Sequence, residues 1–224
     1  MRATDSEYIG DYAAQPRRRI LFGRDSLTYR VLFAWFAMSR STLEMIRAQP
    51  TEGHLLFLLL WSDLAFFLSW TMKAVIVPND KGVAIISFEI GGLLLLALIG
   101  RTAALYFFAM VVAAVARIFG GRGSWRDTRI AIFWAVFVTS PFGVAAALLS
   151  VLFTNLEFYY PIFGAPWISV PPYYMGLVPF VWYISVGIAR AQGFRKVSPI
   201  FLIMSVVSLV GIIGGMYFHA RGLI

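Results

Sequence analysis

Three ionisable residues, Asp63, Glu89 and Arg101, fall in stretches otherwise built from leucine, isoleucine, phenylalanine and alanine. A charge inside a hydrocarbon layer is costly, so such residues mark a proton path, an ion site or an internal pair. A second group, Gly120, Gly121, Arg122, Gly123, Arg126 and Arg129, lies within the polar segment Phe119 to Arg129. Backbone N–H groups freed by glycines at a helix start, flanked by arginines, suit an anionic phosphate. A dinucleotide fingerprint is excluded, because an apolar helix rather than a strand precedes these glycines and Arg126 stands where the third glycine belongs. The expected ligand is a lipid phosphate in the headgroup layer, beside the plainer role of a turn carrying topology-setting charge. Catalysis finds little to work with. Ser124 and Ser140 have no base near them in sequence, His54 and His219 are the only histidines, and cysteine is absent. No catalytic set, metal site or cofactor is therefore expected.

The elements that must position these residues are membrane helices. The chain has 224 residues, 60% hydrophobic and 13% charged, against about a quarter charged in an ordinary soluble domain. Its +8 charge is placed beside apolar runs, as topology and anionic lipid require, and nucleic acid is not an expected partner. The first residues carry acids and Arg17-Arg18-Arg19 without an apolar core, so no cleavable signal is expected.

The expected architecture is all-α, a helix bundle with five transmembrane helices and an N-terminal interfacial helix. Residues 1–24 read as a polar tail and 25–52 as interfacial amphipathic helices, because the apolar stretch from Leu27 to Met38 is shorter than the ~20 residues a span needs. Within the latter, Ser41-Thr42-Leu43-Glu44 has capping-box spacing and predicts a second helix ended by Pro50. Residues 53–224 form the membrane domain, with spans about 55–77, 95–118, 130–153, 173–189 and 199–218. Residues 83–94, with Glu89 and Gly91-Gly92, are expected as an extended, interfacial or re-entrant lead-in. Pro141 predicts a kink whose freed carbonyl is served by Thr139 or Ser140. Gly211 and Gly215 have the small-xxx-small spacing of close helix packing.

Depth along these helices bears on the charged trio. Asp63 lies roughly 12 Å from the inner end of its span and Arg101 roughly 24 Å above Arg117. The offset predicts Asp63 bonded to polar neighbours and Arg101 reaching outward beside Glu89, with an Asp63–Arg101 pair as the alternative. The basic residues cluster before the first span, around Arg117 to Arg129 and around Arg190 to Lys196. That distribution places the N-terminus in the cytoplasm and the C-terminus in the periplasm.

The turn Phe119-Gly120-Gly121-Arg122-Gly123-Ser124, the proline in the third span, the Gln192-Gly193-Phe194 turn and the count of spans together resemble the Yip-one domain family. These membrane proteins are named for interaction with Ypt/Rab GTPases, and the resemblance covers about residues 38 to 219. A short N-terminal tail with a Pro16-Arg17-Arg18-Arg19 run is similar to the bacterial branch, for which a Rab partner is not implied. The resemblance implies a non-catalytic protein of the bacterial inner membrane, a scaffold or organiser. Its partners would be membrane lipids, other membrane proteins or a homo-oligomer. The alternative is a small transporter or permeation subunit using Asp63 and Arg101.

Overall fold

The computed structural model describes residues 27–76, 88–165, 168 and 175–221. The expected polar tail, residues 77–87 and most of residues 166–174 lie outside the described residues, as do the side chain of Glu89 and the surroundings of Gly215. Among the described residues six α-helices follow one another: α1 (Leu27–Ala48), α2 (Glu52–Ile76), α3 (Phe88–Ile118), α4 (Trp125–Glu157), α5 (Leu177–Gln192) and α6 (Ser198–Ala220). A short 3-10 helix, Pro161–Gly164, follows α4.

Among the described residues three helices are long and apolar enough to cross a membrane, through Glu52–Ser69, Leu98–Ile118 and Trp125–Glu157. In α6 the qualifying apolar stretch is the shorter Ser198–Gly214, and α5 has only 16 residues. α4 is the axis of the bundle and packs against α1, α2, α3 and α5, while α6 rests on α5. Its run Ile130 to Thr139 is buried on every side, the pattern of a helix surrounded by others.

α1 is made of two helical arms, and the break between them falls at Ala37, ahead of the expected second start at Ser41. Its backbone leaves helical geometry at Ala37 (φ −133°, ψ 47°). Arg30 and Met45 are 15 residues apart yet their side chains meet at 3.8 Å, whereas a straight helix would separate them by about 22 Å. α1 is therefore a V with its apex at Ala37. Ser41 caps nothing: it is buried and its Oγ accepts the Trp134 indole N–H at 3.0 Å, while Glu44 pairs with Arg40. A hydroxyl inside the bundle is cheaper when it bonds a buried indole than when it caps a helix already continuous there.

The apex docks on the proline of α4. Pro141 has no N–H for the Phe137 carbonyl, and the Ser140 hydroxyl donates to that carbonyl at 2.8 Å, as expected. Thr139 donates instead to Ala135 and Val136. The Trp35 indole N–H reaches the neighbouring Val138 carbonyl at 2.9 Å, and the Trp35 carbonyl, next to the break in α1, accepts the Tyr183 hydroxyl at 2.6 Å. Trp35 thus serves the irregular turn of α4 while Tyr183 of α5 serves the break in α1, with the Phe142 ring packed between Trp35 and Tyr183.

α3 is one continuous helix from Phe88, so Glu89 and Gly91-Gly92 belong to its first turns rather than to an extended lead-in. Apolar neighbours in a low-dielectric setting favour internal backbone bonds strongly enough to carry two glycines in a helix. Nothing would meet a Cβ on Gly211 within 4 Å; the expected close packing at this position is not made within the chain.

Candidate functional site

The glycine-arginine segment joins α3 to α4, and each of its residues has an assigned structural task. Gly120 adopts φ +85°, its N–H bonding the Arg117 carbonyl at 3.0 Å while Gly121 N–H reaches the Ala116 carbonyl at 2.8 Å. This is the double bond of a Schellman ending, which needs a left-handed residue at that place. Arg122 N–H then bonds the Gln192 carbonyl at 3.1 Å, and Gly123 N–H bonds Gln192 Oε1 at 3.1 Å. Ser124 starts α4 with a reciprocal capping box to Asp127. The Ser-x-x-Asp spacing was readable in the sequence; the sequence reading missed it.

Gln192 is the centre of this arrangement. It is 1% exposed, and its Nε2 donates to Thr128 Oγ1 at 2.6 Å. A Cβ on Gly121 would strike Gln192 Oε1 and the Ala116 carbonyl, and one on Gly123 would strike the Ala191 carbonyl. Those two glycines are needed for close approach, whereas Gly120 is needed for its φ. α5 itself ends in a left-handed glycine, Gly193 (φ 75°), so two glycine-ended helices meet through one glutamine. The only sequence signal for its role is a long amide in the last turn of an otherwise apolar helix.

The arginines divide. Arg129 pairs with Glu52 and lies over the rings of Tyr106 and Trp125. Arg126 donates to the Pro50 carbonyl at 3.2 Å, and Gln49 reaches Asp127 at 3.1 Å. Arg122 and Arg117 are exposed and form no ion pair among the described residues. The α1–α2, α3–α4 and α5–α6 connections therefore share one polar end of the bundle. The expected cradle of free backbone amides is not what this turn presents, since the amides of Arg122, Gly123 and Ser124 are bonded internally.

The structure brings Asp63 and Arg101 together. Asp63 is fully buried and ion-paired with Arg101, and its second oxygen accepts the Thr102 hydroxyl at 3.0 Å. The guanidinium also reaches Ser62 at 3.5 Å and lies over the Phe66 ring. The expected outward reach of Arg101 toward Glu89 is replaced by this pair. α2 and α3 do not end at a common depth. Tyr106 lies level with Arg129 near the start of α4, so about 18 Å of α3 continues past it to Ile118. That downward displacement lowers Arg101 toward Asp63.

A family model described as the Yip1 domain matches residues 33–218. No match arose among curated proteins or among solved structures. The chain belongs to the Yip1 domain family, and its apolar helices agree with an integral membrane protein.

Proposed function

We propose that this Yip1 domain protein is a non-catalytic membrane scaffold or organiser that gathers proteins or lipids at the polar end of its bundle. In this reading it belongs to the bacterial branch and lies in the inner membrane with five spans. Its N-terminus is cytoplasmic and its C-terminus periplasmic, because the basic connections share one end. The observation that carries the reading is the Gln192 clasp. It ties the α3–α4 and α5–α6 connections together, Arg126 and Gln49 hold the α1–α2 connection to the same end, and Arg117 and Arg122 are left exposed with no ion pair among the described residues. A fixed array of cations recognises acidic partners at lower entropic cost than mobile loops would.

The test is purification in mild detergent or native nanodiscs with mass spectrometry of what stays bound. A stoichiometric protein or anionic lipid, released by Arg122→Gln with Arg126→Gln, supports the scaffold. A monomer carrying neither overturns it. The second reading, a small transporter, draws on the buried Asp63–Arg101 pair. Proton flux in proteoliposomes that is lost in Asp63→Asn and retained in Arg122→Gln would favour it.

A further inference from the structure

The V of α1 encloses a cleft of about 360 Å³ between its arms, lined by Tyr29, Arg30, Phe33, Arg40, Ser41 and Glu44. Two guanidiniums enter it from opposite arms. Arg30 lies over the Trp134 ring, 5.6 Å from its centroid, and Arg40 over Phe33 at 5.8 Å. Arg30 is partly buried, and among the described residues no carboxylate lies within ion-pair distance of it. The one acid lining the cleft, Glu44, is exposed and bonded to Arg40. Ser41 Oγ already accepts from Trp134, so its own hydrogen is the one left to donate. Around this polar cleft the same helix exposes Leu32 and Phe36.

We propose that the arms of α1 form a binding site for a phosphate ester, with Arg30 and Arg40 as the charged donors and Ser41 as the neutral one. Guanidinium is suited to phosphate because its planar N–H fork gives paired charge-assisted bonds. An arginine without an acid, beside apolar surface, is costly until an anion neutralises it. The bilayer supplies that anion as a phospholipid headgroup, whose acyl chains would run along Leu32 and Phe36; a soluble phosphate ester offers the same chemistry. This site is distinct from the clasped turn: lipid released by Arg122→Gln with Arg126→Gln belongs to the scaffold reading, and lipid released by Arg30→Gln or Arg40→Gln belongs here.

The test uses the full chain in nanodiscs of phosphatidylcholine, alone or mixed with phosphatidylglycerol or phosphatidate. Lipid retained after transfer to detergent is read by native mass spectrometry. Binding of inorganic phosphate and glycerol phosphate is measured in parallel by calorimetry. Anionic lipid should be retained over phosphatidylcholine, and Arg30→Gln and Arg40→Gln should each lower retention by about tenfold. Arg221→Gln, at an exposed position after α6, should leave it unchanged. Glu44→Gln should raise retention, because it frees Arg40. Competition by glycerol phosphate would assign the site to soluble esters, and its failure to compete would assign it to lipid. Should Arg30→Gln fail to fold, exposed Arg40 decides alone. No preference for anionic lipid together with no soluble binding, or arginine variants indistinguishable from Arg221→Gln, would overturn the proposal.

Discussion

Trp35 donates its indole N–H to the Val138 carbonyl at 2.9 Å, across the place where a broken helix meets a proline-containing one. The bond serves a carbonyl in the turn that Pro141 disturbs, from a residue two positions before the break at Ala37. Trp35→Phe keeps a ring against Phe142 but loses the donor. It should destabilise the bundle by about 1 kcal/mol, read as a lower midpoint of thermal unfolding in detergent. Trp35→Ala also removes the ring and should cost about 3–5 kcal/mol. Equal midpoints for Trp35→Phe and the parent would show that the bond carries nothing.

Gln192 offers a sharper case, since both ends of its amide are engaged and the group is buried. Gln192→Leu preserves bulk but strands the Gly123 N–H and takes the amide donor from the Thr128 hydroxyl, which keeps its own bond to the Ser124 carbonyl. A loss of about 1–3 kcal/mol is expected. Hydrogen exchange should then quicken at Arg122 and Gly123 before it quickens in the middle of α4.

The glycines of the turn should rank by what surrounds them. Gly123→Ala drives a methyl into the Ala191 carbonyl and should separate α4 from α5, with a cost of about 1–3 kcal/mol or more. Gly120→Ala meets open space and suffers only its positive φ, about 1–2 kcal/mol. Gly120→Asn should recover part of that, because asparagine tolerates the left-handed region. Proteolysis across the turn would report the order, and a Gly123→Ala protein as resistant as the parent would contradict it.

For the buried ion pair, single and double substitutions should disagree. Asp63→Asn leaves the Arg101 charge without its counter-ion and should cost about 3–5 kcal/mol. Arg101→Met leaves the carboxylate, which can take up a proton instead. The double variant should be more stable than Asp63→Asn alone, a non-additivity that a double-mutant cycle measures.

Much of this fold was legible in the apolar runs. α4, α2 and α6 fall within a few residues of the expected spans, because sustained hydrophobicity leaves a chain in lipid few alternatives to helix. The glycine-arginine turn was also visible, as was the hydroxyl that serves the Pro141 site. What escaped the sequence were relations between elements. Nothing local to Arg101 says that α3 runs lower than its neighbours, and that vertical offset alone decides whether Asp63 has a partner. Nothing near Gly123 indicates that a residue 69 positions later supplies its acceptor. Ser41-Thr42-Leu43-Glu44 carried a correct capping pattern and formed no cap, since Trp134 competed for the same oxygen. Ser124 and Asp127 carried an equivalent pattern, and there the solvent-side position left the hydroxyl free to cap.

A helix that traverses a bundle moves the chain from one face to the other; a V does not. The two arms of α1 cancel, so Leu27 returns toward the end that holds Pro50, Arg122 and Gln192. The start of α1 and the three basic connections consequently share one end of the bundle. Straightening α1 at Ala37 would carry Leu27 away from that end without altering any other helix.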